Sequence, residues 1–363
     1  MKDLKFCLFF VVLLISKIHA QSNWKDNLFI SSSYKFGSVL PEYQFVHSIV
    51  DQNIQQVELS VFKETSGKNY WQKIYKYPKL GFSFFYTSLG NNEILGHEFA
   101  LFPFVSLQSS PSKKFHIENK FGLGAGFVTR KFNLINNYKN VAIGSKLNVH
   151  FSYELGMNFN LNEKLNLKTA LNFNHFSNAN LKEPNLGINT FSASLGFDYL
   201  IGKKTERLSP EIPEFNPKNE FAFIYAFGGK HTRALQQTVY FTSSISLEYK
   251  RVSGRIFHLG GGLDLFYDAA TKTEMSVPGK IPYKSIYDFR TGFHLSQEFV
   301  YNKFSFILQE GFYIGLTDKV EKSPIYNRAI FRYKWNEHFF THISMKSHLY
   351  ILDYPEIGLG IYL

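Results

Sequence analysis

Apolar and polar residues alternate along several long stretches of the chain. Between Leu147 and Phe159 the odd positions are apolar, and the even positions are polar or glycine. Successive side chains of a β-strand point to opposite faces, so this segment predicts a strand with one apolar face. Its thirteen residues exceed the roughly 9–11 that a tilted strand needs to cross a bilayer. The pattern therefore predicts a membrane-spanning strand.

The same alternation recurs in residues 121–127, 257–267 and 287–296. An apolar outer face and a polar inner face are typical of transmembrane β-barrels. Only helices and closed barrels satisfy their backbone groups in lipid. A soluble β-sandwich also alternates, but its strands are usually shorter, near 5–6 residues. We predict an all-β protein that forms a transmembrane antiparallel β-barrel.

The strand candidates divide into two groups, about eight before Gly202 and about eight after Asn219. Residues 203–218 contain three prolines and many charges, a composition that predicts a linker or an exposed loop. The expected domains are a first barrel of eight strands, a linker or loop, and a second β-rich half or degenerate second barrel. Their ranges are 21–203, 204–218 and 219–363. One larger barrel fits the pattern as well as two.

The N-terminus predicts export. Lys2 and Lys5 precede a short apolar run that ends before Ala20, as in a secretory signal peptide covering residues 1–20. Cys7, the only cysteine of the chain, lies inside this segment. The mature chain is therefore expected to have no disulfide and no thiolate metal site. An exported β-barrel is expected in the bacterial outer membrane.

The formal net charge is +11, which suits either nucleic acid or anionic lipid headgroups as partners. An exported chain has little access to nucleic acid. We therefore expect lipids of the membrane as partners and no nucleic acid. The sequence does not indicate an oligomeric state.

The candidate chemistry lies on one predicted hairpin. Leu165, Leu167, Leu171 and Phe173 form an apolar face, and the same register places His175 and Ser177 on the lipid-facing side. An asparagine-rich loop follows, and the return strand carries Asn189 on its apolar face. In an antiparallel hairpin, His175 and Asn189 can be direct cross-strand neighbours.

These residue types predict a serine hydrolase. Ser177 needs a base to take its proton, and His175 can serve as that base. Asn189 can hold the imidazole in the required tautomer, as Asn does in Cys-His-Asn enzymes. Candidate donors to an oxyanion are the side chains of Asn178 and Asn185 and the backbone amides of Ala179 and Asn180. The alternative is that the same polar residues lie at the membrane–water interface without catalysing a reaction.

The motif His175-Phe-Ser177-Asn178-Ala179, followed by Lys182-Glu-Pro-Asn-Leu-Gly-Ile-Asn189, resembles that of the lipid A 3-O-deacylase (PagL) family. The resemblance implies an eight-stranded outer-membrane barrel whose Ser–His dyad faces the outer leaflet. It also implies removal of an ester-linked acyl chain from the lipid A part of lipopolysaccharide, without a cofactor. The first half of the chain fits such a barrel in length, whereas the second half is not covered by the resemblance.

One position departs from that family, which usually has a glutamate where this chain has Asn189. The outer-membrane phospholipase A family also has His-x-Ser-Asn, with an asparagine fourteen residues after the histidine, as here. That family carries an acidic calcium ligand where this chain has Lys182, so no metal is predicted. Glu183 is an alternative third member of the triad. Three hypotheses remain: a lipid A deacylase, an outer-membrane phospholipase A, and a non-catalytic barrel that is a porin or structural protein.

Overall fold

The structure, a computed structural model, describes residues 24–41, 43–110, 113–232, 238–276, 281–315, 323–348 and 351–363. The predicted signal peptide lies outside these residues. Within them, sixteen strands form two closed antiparallel barrels of eight strands each. The predicted fold class is thus confirmed, and two barrels rather than one larger barrel are present.

The first barrel has an up-and-down topology, in which each strand pairs with its neighbours in sequence and the last strand pairs with the first. Its strands are β1 (Leu28–Leu40), β2 (Ile54–Glu64), β3 (Lys79–Ser88), β4 (His97–Gln108), β5 (Phe115–Val128), β6 (Leu147–Asn160), β7 (Leu165–Ser177) and β8 (Ile188–Leu200). Two short helices lie in its connections, α1 (Gln44–Ile49) between β1 and β2 and α2 (Tyr70–Ile74) between β2 and β3.

The second barrel repeats this topology and closes by pairing its last strand with its first. Its strands are β9 (Lys218–Lys230), β10 (Tyr240–Val252), β11 (Phe257–Asp268), β12 (Phe289–Tyr301), β13 (Phe304–Ile314), β14 (Ile325–Lys334), β15 (Phe339–His348) and β16 (Ile351–Tyr362). A short helix, α3 (Thr271–Met275), and a 3-10 turn (Ser285–Asp288) connect β11 to β12. Residues 201–217 join the barrels without a helix or strand.

The two ends of each barrel differ. Odd-numbered strands finish at one end, which we call the loop rim, and even-numbered strands finish at the other, the turn rim. The loop rim of the first barrel carries the connections 41–53, 89–96, 129–146 and 178–187. In bacterial outer-membrane barrels the longer loops lie on the extracellular side. The loop rim is therefore assigned to the outer leaflet.

Large apolar side chains cover the outward faces of both barrels. Leu101 and Leu195 of the first barrel and Leu263 and Leu295 of the second are each more than half exposed. Soluble monomers rarely expose a continuous apolar belt of this extent, because its contact with water is unfavourable. These belts therefore contact lipid. Among the described residues no helix is long and apolar enough to cross a membrane.

Charged side chains fill the lumen of the first barrel. Lys35 lies between two carboxylates, with its Nζ 2.7 Å from Glu58 and 3.3 Å from Glu154. Glu58 also pairs with Lys120, and Glu154 pairs with Lys168. In a second set of ion pairs, the Nζ atom of Lys79 lies 2.7 Å from Glu118 and 3.5 Å from Asp198. All eight groups are buried, and four cations are balanced by four anions.

The lumen of the second barrel is filled in the same way. Arg332 pairs with Glu248 at 2.9 Å, and Arg328 pairs with Asp264 at 3.1 Å. The His294 ring lies 2.6 Å from the same Asp264 carboxylate. Buried charges are stable only when they are paired and hydrogen-bonded, so these networks hold the side chains in fixed positions across the lumen.

We expect no ion conductance from the full-length protein in planar lipid bilayers. Buried and paired charged side chains occupy the lumens of both barrels among their described residues, so we expect no open aqueous path through them. The measurement is single-channel current under an applied voltage, with a porin as the positive control. Regular conductance steps would contradict the expectation and would favour the porin hypothesis.

Candidate active site

His175 and Ser177 lie at the C-terminal end of β7, where this strand reaches the loop rim. The side chains at Thr169 and Leu171 on the same face are exposed to the lipid region, whereas Asn172 and Asn174 on the opposite face are buried in the lumen. His175 is half-buried, and Ser177 is 9% exposed. Both residues are therefore on the outward wall, just below the loop that follows them.

Asn189 lies beside His175 on the neighbouring strand, because the register of β7 and β8 pairs these two residues. The Nδ1 atom of His175 donates to the Oδ1 atom of Asn189 at 2.6 Å. Since an amide oxygen only accepts, this bond places the ring hydrogen on Nδ1. The Nε2 atom then accepts from the Ser177 hydroxyl at 3.1 Å. This tautomer allows the imidazole to take the serine proton.

Loop 178–187 is closed by its own asparagines. The side chain of Asn178 donates to the Lys182 carbonyl at 2.7 Å and accepts from the Lys182 amide at 3.2 Å. The amide of Asn178 donates to the Oδ1 atom of Asn185 at 2.9 Å. The two asparagines that the sequence suggested as oxyanion donors thus lie next to Ser177, and both also stabilise the loop. The Nδ2 atom of Asn185 has no partner among the described residues.

Two further donors follow Ser177 in the chain. Ala179 and Asn180 have φ angles of 54° and 61°, in the left-handed region that non-glycine residues rarely occupy. Consecutive residues of this kind turn the backbone sharply. Within the described part of the chain, the backbone amides of these two residues donate to no acceptor. These two N–H groups are therefore candidate donors to a bound ligand.

Two glycines allow the loops at the loop rim to approach each other closely. A Cβ atom at Gly144 would lie 2.6 Å from the Pro184 carbonyl oxygen, so only glycine fits there. Gly187 has a φ of 73°, and a Cβ atom there would lie 3.0 Å from Cε1 of His175. The Gly187 amide donates to the Ala142 carbonyl at 3.0 Å. Loop 129–146 thus supports the backbone that surrounds the histidine.

An apolar cluster anchors this hairpin from the lumen side. Phe176 and Ile188, which flank the site residues in the sequence, point inward and are almost fully buried. They pack with side chains contributed by most of the loop-rim connections: Val39, Val46, Ile49, Ile54, Leu89, Leu95, Val128, Ala142 and Ile143. The burial of these residues fixes the ends of β7 and β8, and therefore the positions of His175, Ser177 and Asn189.

The two carboxylates near the motif lie elsewhere. Glu183 is half-buried in the loop, and burial raises its pKa above the usual range. Among the described residues it is not bonded to His175, which contacts Asn189 instead. Asp198 lies in the lumen beside Lys79. No group of three His, Cys, Asp or Glu side chains in the described chain could hold a metal ion, and a metal-free site stays a prediction.

Residues of the second barrel also reach loop 178–187. His231 and Asp353, which the sequence did not indicate, contact the loop at the Leu181 carbonyl and the Asn180 side chain. His231 lies 50 positions from Leu181 in the sequence, and Asp353 lies 173 positions from Asn180. No sequence motif connects either pair. Only the arrangement of the two barrels brings them together.

Two family models match the chain. The model for lipid A 3-O-deacylase (PagL) matches residues 55–198, which include His175, Ser177 and Asn189. The model for acyloxyacyl hydrolase, C-terminal domain, matches residues 219–363. The second barrel, which the resemblance of the motif does not cover, is thus matched by a different family model. No curated protein matches the chain.

Solved structures of outer-membrane barrels align with the fold. The outer membrane enzyme PagL is 18% identical, with a TM-score of 0.34, over 46% of this chain and 97% of that chain. Neisserial surface protein A is 8% identical, with a TM-score of 0.33, over 48% of this chain and 98% of its own. The Pseudomonas putida toluene transporter TodX is 6% identical, with a TM-score of 0.18, over 93% of this chain and 88% of its own.

The family matches and the barrel fold agree with the resemblance seen in the motif around Ser177. This chain is an outer-membrane β-barrel protein whose first barrel matches the lipid A 3-O-deacylase (PagL) family model and whose second barrel matches the acyloxyacyl hydrolase, C-terminal domain model.

Proposed function

We propose that the first barrel is a serine esterase that removes an ester-linked acyl chain from lipid A of lipopolysaccharide. Ser177 is the nucleophile, His175 the general base, and Asn189 the residue that orients the imidazole. The observation that carries the proposal is the chain of hydrogen bonds from Ser177 through His175 to Asn189. These hydrogen-bonded residues lie on the lipid-facing wall at the outer-leaflet end, where a membrane lipid can reach them.

The proposed reaction has two halves. His175 Nε2 takes the proton of Ser177 as Oγ attacks the ester carbonyl carbon, which gives a tetrahedral intermediate. The ester C–O bond then breaks, the proton passes from His175 to the departing alkoxide, and the acyl group stays on Ser177. Water, activated by the same histidine, cleaves the acyl-serine bond and releases the fatty acid. The amides of Ala179 and Asn180 are the proposed donors to the oxyanion, with Asn178 and Asn185 as further candidates.

A neutral third residue has a specific consequence. Asn189 fixes the tautomer of His175 through its amide oxygen, but it carries no negative charge to stabilise the imidazolium that forms during the reaction. The 2.6 Å bond between Nδ1 and Oδ1 therefore supplies orientation rather than charge compensation. We place Asn189 and not Glu183 in this role.

A phospholipase A activity is the second candidate. It is favoured by Asn189, because the phospholipase A family has an asparagine at the same distance from its histidine. Both reactions cleave a carboxylic ester of a membrane lipid by the same steps.

The proposal includes the predicted division of the chain, with a signal peptide in residues 1–20, the catalytic barrel within 21–203, a linker at 204–218 and the second barrel within 219–363.

The test is mass spectrometry of lipids extracted from a bacterial strain whose lipid A structure is known. Cells that express the full-length protein should contain lipid A lacking one ester-linked acyl chain, together with the free fatty acid. Unaltered lipid A with increased lysophospholipid would favour the phospholipase. Unaltered lipids of both classes, despite a folded protein in the outer membrane, would contradict the esterase proposal for these substrates.

The Asn189→Leu variant should lower kcat by about 10²–10⁴-fold, because leucine has a similar volume but cannot hold the histidine tautomer. Glu183→Gln is the matched control, and we expect it to change kcat less than about threefold, since Glu183 is not bonded to His175. Initial rates of fatty acid release from purified lipid A measure both. The opposite ranking of the two variants would make Glu183 the third member of the triad.

A further inference from the structure

Two contacts join the loop rim of the second barrel to the loop that follows Ser177. His231 stands directly after β9, and its Nε2 atom donates to the Leu181 carbonyl at 3.0 Å. Asp353 lies in β16, and its backbone carbonyl accepts from the Nδ2 atom of Asn180 at 3.3 Å. Since β9 and β16 are neighbours in the second barrel, one side of its rim makes both contacts.

The contacts hold a specific part of the loop. They reach Asn180 and Leu181, the residues on the two sides of one peptide bond. This peptide directly follows Ala179, and both Ala179 and Asn180 have the left-handed backbone conformation. Such a conformation persists only when surrounding groups stabilise it, because it is unfavourable for residues with a side chain. Two of the groups that stabilise it here belong to the other barrel.

The opposite ends of the barrels are also joined. At the turn rim the Tyr75 hydroxyl donates to the Val300 carbonyl. The rings of Trp71 and Tyr75 pack on Tyr301, with centroids 5.4 and 4.8 Å from its own. No described strand of one barrel pairs with a strand of the other. Contacts at both rims restrict the tilt of the second barrel and so keep His231 beside the loop.

We propose that the second barrel is a positioning element of the active site. Its rim, through His231 and the Asp353 carbonyl, holds residues 179–181 so that the amides of Ala179 and Asn180 point at the oxyanion formed on the substrate. This inference rests on the serine esterase function proposed above. His231 is a positioning residue that acts through the loop, whereas Ser177, His175 and Asn189 act on the ester or on each other.

The inference predicts which kinetic constant changes. An oxyanion exists only in the transition state and the intermediate, so poorly placed donors lower kcat and leave KM nearly unchanged. Removal of one donor from an oxyanion hole costs about 10²–10³ in kcat. Displacement of donors that are still present should cost less, and we expect a loss of about 10-fold when one of the two contacts is removed.

The experiment compares two substitutions of His231 in the full-length protein. His231→Phe keeps an aromatic ring but removes the donor to Leu181, whereas His231→Gln keeps an N–H donor and should restore most of the activity. His338→Phe, an exposed histidine at the turn rim of the same barrel, is the matched control. Initial rates on dispersed lipid A give kcat and KM, and thermal unfolding shows whether each variant is folded.

We expect about a 10-fold lower kcat for His231→Phe, an unchanged KM, and near-normal values for the other two variants. Asn180→Gly removes the second contact and tolerates the left-handed backbone, so it should also lower kcat and serves if His231→Phe does not fold. A normal kcat in the folded His231→Phe or Asn180→Gly variant would overturn the inference, as would equal losses in the Phe and Gln variants. Ser177→Ala is measured in parallel. If it retains activity the esterase proposal fails, whereas an inactive Ser177→Ala beside an active His231→Phe removes only the positioning role.

Discussion

Replacement of Ser177 by alanine should lower the rate of ester cleavage by at least about 10³-fold and leave the barrel folded. Without Oγ, no acyl-enzyme forms, and only the weaker catalysis by binding and oxyanion donors remains. The substitution removes only the hydroxyl group at the end of β7, where the apolar cluster around Phe176 and Ile188 keeps the hairpin in place. The loss should therefore be one of chemistry rather than of structure.

Fatty acid release from purified lipid A, with and without the substitution, measures this effect. Ser32→Ala is the matched control, because Ser32 is a serine on the outward face of a strand of the first barrel, away from the site, and is exposed. It should retain full activity. Comparable activity of the Ser177→Ala and wild-type proteins would mean that another group is the nucleophile.

The second large effect is expected in the lumen of the first barrel. Glu58→Gln should destabilise the folded protein by about 3–5 kcal/mol, because it leaves the buried Lys120 without its anion and Lys35 with only one of its two, Glu154. Lys35 and Lys120 both pair with Glu58, and all three side chains are almost fully buried. After the substitution, the four lysines of this ion-pair network face three carboxylates in place of four.

Urea unfolding of the protein in detergent micelles or lipid vesicles gives the free energy of unfolding. The double variant Glu58→Gln/Lys120→Met restores the charge balance, and it should be more stable than Glu58→Gln alone. Non-additivity of this kind is expected of groups in one ion-pair network. A Glu58→Gln variant as stable as the wild type would show that water reaches these lysines in the folded barrel.

The fold class could be predicted from the sequence because the side chains of a barrel strand alternate between two faces with a period of two residues. Alternation of two classes of side chain over thirteen residues is visible without any knowledge of strand partners, as Leu147 to Phe159 shows. The number of barrels was not predictable in the same way. Closure depends on which strand pairs with β1, and the pairing of β1 with β8 is not marked by any residue type.

The lumen also departs from a simple division into apolar outside and polar inside. Phe85 and Phe102 point inward and are fully buried, and the ring of Phe102 stacks on His150. Both belong to an apolar cluster inside the first barrel, which also contains Phe29, Phe62, Ala100, Phe104 and Leu200. An aromatic ring in the lumen needs a small residue on the neighbouring strand, as Gly122 is for Phe102. Which residues face each other is known only from the pairing of the strands.

For the candidate site, the odd numbering of His175, Ser177 and Asn189 placed the three residues on one face, and the structure puts His175 within hydrogen-bond distance of both Ser177 and Asn189. Their catalytic roles stay a proposal. Odd and even positions carried no information about loop 178–187, since side chains of a loop do not alternate between two faces. The backbone conformation of Ala179 and Asn180, the use of Asn178 to close the loop and the contact with His231 all depend on folded geometry.

In the proposed esterase, the outward position of Ser177 determines how the rate responds to the amount of lipid A. A site on the barrel wall meets lipids by lateral diffusion within the leaflet, not by diffusion from bulk water. The rate should therefore follow the mole fraction of substrate among the surrounding lipids. Diluting lipid A with an inert lipid at constant total amount should lower the turnover, whereas adding more vesicles of the same composition should not raise the turnover of protein already embedded in them.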